Sequence, residues 1–224
     1  MKKSFIYVSA ALAVFAMASC GSNSSEAGAA DSTLSASDSA ASYTIAEGST
    51  LGWGGSKVVG VGAHAGTIAI TEGSISVENG NITAGNFTID MKKIVVTDSA
   101  MPEEYKQKLI GHFSADDFFN TEKFPTAKFE ITAVKAEANG ENTHVISGNL
   151  TLRDSTKNIN IPAAVSIADG KLTAKGTTTI NRLDWGVNYD KASMSLTEKA
   201  QAALKNGVVS KDITISFDLT ANKK

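Results

Sequence analysis

The sequence predicts an all-β fold, an eight-stranded antiparallel barrel with short helices. Three observations carry this. Apolar and polar residues alternate through run after run of the chain, the period of half-buried antiparallel strands. Asn79-Gly80, Asn139-Gly140 and Asp169-Gly170 fall between the runs, where hairpin turns need residues that tolerate positive φ. Regularly spaced hairpins give an up-and-down meander, and such a sheet removes its edges by closing on itself.

Strands are expected over 43–61, 63–78, 81–97, 126–138, 142–154, 157–169, 171–183 and 208–222. The first three are punctuated by turn signals at Glu72-Gly73 and at Glu78-Asn79-Gly80-Asn81. In the fourth, Ala127, Phe129, Ile131 and Ala133 alternate with Lys128, Glu130 and Thr132. In the fifth, Ile146, Leu150 and Leu152 oppose Ser147, Asn149, Thr151 and Arg153. Ile159, Ile161, Ala163, Val165 and Ile167 repeat the pattern. In the last, Ile213, Ile215, Phe217 and Leu219 alternate with Thr214, Ser216, Asp218 and Thr220. Helical signals are few. Pro102, Glu103 and Glu104 read as a first turn leading through Tyr105, Leu109 and Ile110. Ser114 to Asp117 and Ser195 to Glu198 are spaced as capping boxes, the latter closed by Lys205 and Gly207. Short helices of this kind are expected over a barrel end or side.

The first 42 residues read differently from the rest. Lys2 and Lys3 precede an uncharged apolar run over 4–18, and Met17-Ala18-Ser19 leads into Cys20, the single cysteine. A positive start, a short apolar run and a small-residue cleavage site make a secretory signal. The run falls short of the roughly 20 apolar residues of a membrane span. Ending in cysteine, the pattern resembles a bacterial lipoprotein signal, with Met17 where leucine is usual. The resemblance implies that Cys20 is acylated and becomes the mature N-terminus. With no second cysteine, an internal disulfide is excluded. Residues 21–42 are nearly all Gly, Ser, Ala, Asn and acidic residues. Such a segment buries too little apolar area to fold and is expected to be a flexible tether, with a mean reach of roughly 25 Å. The division is then a signal over 1–19, an acylated cysteine and linker over 20–42, and one barrel domain over 43–224.

Composition excludes several classes. The chain carries 21 basic and 23 acidic residues, and loss of Lys2 and Lys3 leaves 19 against 23. No long basic run survives, which argues against nucleic acid as a partner. His64, His112 and His144 lack the close spacing of a metal site, and no metal or other cofactor is expected. No Gly-x-Ser-x-Gly elbow, phosphate loop or dinucleotide fingerprint is present. The aromatic residues say more. Phe113, Phe118, Phe119 and Phe124 cluster between the third and fourth strands. They are placed either to plug a barrel mouth or to line a route for an apolar ligand. An eight-stranded barrel either fills with side chains or holds one small ligand, and periodicity leaves both open.

An ordered set of motifs spans 43–222. It runs Trp53-Gly-Gly-Ser-Lys57, His64-Ala-Gly66, Gly85-Asn-Phe-Thr-Ile-Asp90 and His112-Phe-Ser-Ala-Asp-Asp-Phe-Phe119. Lys123-Phe-Pro-Thr-Ala-Lys-Phe129, Gly148-Asn-Leu-Thr-Leu152 and Asn181-Arg-Leu-Asp-Trp-Gly186 complete it. As a set these resemble the YceI-like family of bacterial periplasmic lipid-binding proteins. The chain departs from the family pattern at Phe113, at Asp154-Ser-Thr and in an apparent insertion over 193–207. The resemblance implies a lipocalin-like barrel holding a polyisoprenoid or similar long amphiphile. It places the protein in the bacterial cell envelope, in the periplasm or at the outer membrane, attached through Cys20.

The expected tunnel lining is Trp53, Phe87, Phe118, Phe119, Phe129, Leu150, Leu152 and Trp185. Lys57, His64, His112, Arg182 and Asp184 are the expected polar contacts. Arg182 and Asp184, two apart in an expected strand, would share a face and pair. The expected function is non-enzymatic storage or transport of an isoprenoid or fatty lipid. Two alternatives stand beside it: a filled-core envelope scaffold or stress-associated protein without ligand, and a lipid-modifying enzyme using His64 or His112. A homodimer is left open.

Overall fold

A computed structural model describes residues 27–59, 62–188, 195, 197 and 208–224. The expected signal segment, Cys20 and most of 193–207, including most of the Ser195–Glu198 capping candidate, lie outside the described residues. Ten strands are described: β1 (Gly28–Ala29), β2 (Ala41–Ile45), β3 (Thr50–Val59), β4 (Ala63–Glu78), β5 (Asn81–Val96), β6 (Thr126–Asn139), β7 (Asn142–Leu152), β8 (Ser155–Ala168), β9 (Lys171–Asn181) and β10 (Val208–Lys223). From β3 to β10 each strand pairs antiparallel with the next, and β10 closes on β3. The result is the expected eight-stranded closed meander. The first expected strand is two pieces. β2 and β3 sit end to end between β4 and β10, broken over 46–49, where Gly48 has φ 79°.

Hairpin chemistry follows the turn residues. Asn79 and Gly80 both have positive φ, as do Asp169 and Gly170, matching type I′ turns. At the Asn139–Asn142 hairpin only Gly140 is positive, so glycine sits at the first central position of a II′-like turn instead. The Glu72-Gly73 signal is not a turn. It lies inside β4, where the pairing with β5 shifts register. A Cβ at Gly73 would come within 2.8 Å of Ile45 and 2.9 Å of Phe87, so glycine there serves close packing.

Bulges also re-phase two alternations. In β6 the register with β7 shifts between Ile131 and Ala133. Ile131 is buried, Ala133 turns outward and Val134 packs inward. In β5 Met91 and Ile94 are both buried with Lys92 and Lys93 exposed between them. One extra residue in a strand swaps every later side chain to the other face.

The barrel has two unlike ends. At one, the short turns at 78–81, 139–142 and 168–171 close a packed core of Tyr43, Ile75, Ile82, Ile146, Leu172 and Ala221. At the other lie the 97–125 connection and the chain after β9. The 97–125 connection carries an α-helix, α1 (Glu103–Ser114), which starts after Pro102 with Glu103 and Glu104 in its first turn. Acidic residues there meet the positive end of the helix dipole. No residue of α1 is fully buried. The Ser114–Asp117 box caps nothing. The chain is extended at Ala115 and then turns.

The linker also departs from expectation. Residues 27–40 lie along the barrel as a strap. Gly28 and Ala29 pair with Asn158 and Lys157. Asp31 N–H donates to Asn149 Oδ1 (3.0 Å), and Asn149 Nδ2 donates back to Asp31 O (2.7 Å). Leu34 N–H donates to Ile131 O (3.0 Å), and Ser39 bonds Glu78. A segment poor in apolar residues is held by hydrogen bonds to buried polar groups, which composition does not reveal. Asn149 is only 5% exposed and sits on the outer face of β7, under the strap.

Candidate ligand-binding cavity

Inward-facing side chains do not meet in the half of the barrel below α1. They surround a cavity of about 620 Å³, within the roughly 300–1,000 Å³ of small-molecule sites. A second space of about 80 Å³ lies deeper, and every residue lining it is apolar. Leu51, Ile89, Leu150 and Ile215 line both, forming a waist between them. The two spaces thus share part of their wall, with the smaller one toward the packed end.

The expected lining residues divide between the two. Trp53, Phe118, Phe119, Leu150 and Leu152 line the larger space. Phe87 and Phe129 line the deeper one with Leu150. Trp185 lines neither. It is fully buried, and its Nε1 donates to Leu150 O (2.9 Å), so the ring is packed behind the wall. Ile213 and Ile215, inward by the alternation of the last strand, line the larger space, and Ile180 of β9 joins them. Tyr105, Leu109 and His112 also line it. They are spaced four and three apart, one face of a helix, and that spacing was a readable signal.

The mouth is plugged by aromatic rings. Trp53 meets Phe113 edge-on at 5.1 Å, Phe113 lies 5.2 Å from Phe118, and Phe118 meets Phe119 edge-on at 4.8 Å. Such pairs add about 0.5–1.5 kcal/mol each beyond burial. Phe124 stands apart, under the cations of Lys123 and Arg153. Arg153, not singled out in the sequence, holds the plug down. Its Nη1 donates to Phe118 O (2.9 Å) and Gly186 O (3.0 Å).

Replacing Arg153 by asparagine removes both bonds while keeping a residue that tolerates the φ of 55° found there. The expected outcome is faster hydrogen exchange over 113–124. Ligand release should quicken about tenfold, the effect of losing about 1.4 kcal/mol of charge-assisted bonding. Stopped-flow release of a fluorescent fatty acid measures it, and an unchanged rate would remove Arg153 from the plug.

The expected Lys57, His64, His112 and Arg182 all fringe the cavity, together with Ser56, Lys108 and Ser210. His64 Nδ1 is 2.7 Å from Asp98 Oδ2, and Asp98 Oδ1 also accepts from Ala65 N–H (3.2 Å). The carboxylate fixes the imidazole, leaving Nε2 as the ring atom not engaged by it. The expected strand pairing of Arg182 with Asp184 does not form the site. Both residues lie in a 3₁₀ turn, Arg182–Trp185, where side chains two apart diverge because only every third is eclipsed. Arg182 is 6% exposed and donates from Nε to Ser210 O (3.1 Å) and from Nη1 to Val187 O (2.5 Å). Its guanidinium also stands over Phe118 at 5.8 Å. Asp184 is half-buried outside both spaces. Among the described residues no cluster of three His, Cys, Asp or Glu is arranged to hold a metal ion.

Comparison with known proteins agrees with this architecture. A family model described as "YceI-like domain" matches residues 43–221. A UPF0312 protein of Pseudomonas aeruginosa is 32% identical over 120 residues, 47% of this chain and 60% of the relative. One from Pseudomonas savastanoi pv. phaseolicola is 40% identical over 83 residues, 34% of this chain and 42% of the relative. The chain thus spans about 60% or less of the length of these relatives. Among solved structures, Burkholderia cenocepacia BcnA superposes with a TM-score of 0.53 at 16% identity, covering 77% of this chain and 95% of that one. A polyisoprenoid binding domain from Saccharophagus degradans gives 0.53 at 14% identity, covering 83% and 99%. At these identities the likeness is one of fold.

Proposed function

The chain belongs to the YceI-like domain family, and from that premise we propose that it is a carrier. It holds one long-chain amphiphilic lipid, a polyisoprenoid or fatty lipid, for storage or transport in the bacterial cell envelope. It binds without catalysis and is anchored to the membrane through an acylated Cys20. The observation that carries the reading is the apolar hollow, a larger space and a deeper one with four wall residues in common. A filled-core scaffold has no use for such a hollow. Burial supplies affinity at roughly 0.8 kcal/mol per methylene, about 8 kcal/mol for ten carbons before the costs of ordering and association. The polar fringe then serves orientation and headgroup choice, with Lys57, His64 and His112 as headgroup contacts. Arg182 supports the wall from behind Phe118. The solved polyisoprenoid binding domain with the same fold favours an isoprenoid over a compact ligand.

Organic extraction of the purified full chain followed by mass spectrometry tests this. Near-stoichiometric recovery of one long-chain amphiphile is expected. Repeated recovery of none, from protein that also fails to bind a fluorescent fatty acid, would sink the carrier reading.

A further inference from the structure

We propose that the plugged mouth of the barrel is itself a bilayer-docking surface, and that the strap over 27–40 holds it against the membrane. This rests on the reading of Cys20 as the acylated anchor. Its own support is where the strap begins. Gly28 pairs with Asn158, three residues from the mouth-end start of β8 at Ser155 and ten from its far end at Ala168. From there the strap descends, through Asn149 and Ile131, to Glu78 at the closed end. The chain therefore enters the barrel beside its mouth.

Lengths then decide the orientation. Six residues lie between Cys20 and Ala27, seven Cα-to-Cα steps, a span of at most about 25 Å fully stretched and about 15 Å on average. The closed end lies roughly 33 Å further along β8. At its mean reach the tether brings the mouth to the lipid surface and leaves the closed end in water.

Surface chemistry matches. Four large apolar side chains stand out as exposed among the described residues, and three of them ring the mouth end: Val95 (49%), Tyr105 (58%) and Leu183 (44%). Exposed Glu103, Glu104, Lys108 and Asp154 lie among these three, whereas the closed-end turns carry Asn79, Asn139, Glu141 and Asp169 with no exposed large apolar side chain among the described residues. Val95 is one residue from the end of β5, Tyr105 is on α1 beside the cavity, and Leu183 is in the 3₁₀ turn. Apolar residues around the mouth of an apolar cavity give a lipid a path that avoids bulk water.

The test uses the full acylated chain in dioleoylphosphatidylcholine vesicles containing doxyl-labelled phosphatidylcholine. A bimane label is attached at Leu183→Cys or, separately, at Glu141→Cys. Mass measurement reports acylation of Cys20, which also blocks its sulfur from labelling. The expected result is an acylated Cys20 and a mouth label quenched several-fold more than the closed-end label. In the Asp31→Pro/Leu34→Pro double variant, which removes two strap N–H donors, the contrast falls to parity. Near-ultraviolet circular dichroism checks that the barrel persists in each variant. Equal or reversed quenching with Cys20 acylated overturns the docking surface, and contrast that survives the double variant overturns the strap as its cause. An unmodified Cys20 overturns the anchor reading and the docking proposal with it.

Discussion

Replacing Ile215 by glutamate is expected to empty the barrel of ligand. Ile215 stands on β10 at the waist, lining both the larger and the deeper space. Its side chain is only half-buried because it faces the hollow, so a carboxylate there keeps room for water. A charge in an apolar channel is tolerated only hydrated, and the hydrated group blocks a hydrocarbon tail from passing the waist. A tail of ten carbons denied its inner half forfeits about 4 kcal/mol, roughly a thousandfold in affinity. Ile215→Leu keeps shape and polarity and should retain ligand. Extraction with mass spectrometry and displacement of a fluorescent fatty acid measure both variants. Glutamate that binds as tightly as leucine would show that the tail does not thread the waist.

The deeper space makes a graded version available. The space beyond the waist, about 80 Å³, takes the end of a tail. Filling it shortens the tail the protein prefers without abolishing binding, whereas charge at the waist removes the long-tail class altogether. Together the two kinds of variant measure whether the spaces act as one tunnel, and how deep it is.

Much of this was legible because a barrel wall writes its geometry into the sequence. Period two put Ile146, Leu150, Leu152, Ile159 and Ile161 on the inner face, and all five are buried. Asn79-Gly80 and Asp169-Gly170 fixed their hairpins by backbone chirality alone. What period two could not carry was any local change of phase. The bulges at Ile131–Ala133 and at Lys92–Lys93 insert residues that look like ordinary alternation until the partner strand is in place. The strap was invisible for a related reason. Its hold on the barrel is Asn149 receiving Asp31, a contact across 118 residues, and no local composition encodes it. The 3₁₀ turn at Arg182 continued a strand-like pattern, and only its buried bonds to Ser210 and Val187 show why the chain turned. For the candidate site, the aromatic cluster was readable as a mouth element. Whether the interior was hollow depended on summed side-chain volume across eight strands, which no single strand reports.

The Trp53-Gly-Gly-Ser-Lys57 and His64-Ala-Gly66 motifs gain a physical reason in the structure, and it yields the largest expected loss of stability. Gly66 is buried in β4, opposite Val96 of β5 and Trp53 of β3. A Cβ placed there would fall 1.8 Å from Val95 O and 2.6 Å from Trp53 Nε1. The first neighbour is backbone held in the β4–β5 ladder and cannot step aside as a side-chain tip would. Trp53 covers the gap, its Nε1 donating to Val95 O (3.2 Å), and its ring is the edge partner of Phe113. Gly66→Ala must therefore push β4 and β5 apart at the rim, break the indole bond and release the first ring of the plug together. Overpacking with backbone displacement costs about 3 kcal/mol or more, and a chain of this size should lose roughly 6–12 °C in Tm. Gly55→Ala is the matched comparison. Gly55 lies in the same β3–β4 pairing, yet a Cβ there meets nothing within 4 Å, so its Tm should barely move. Thermal unfolding followed by tryptophan fluorescence reads both variants, and the Gly66 variant should also show Trp53 shifted to a wetter environment. Equal shifts in the two variants would mean that the rim does not depend on this close approach, and that Trp53 is held at the mouth by something other than the missing side chain beneath it.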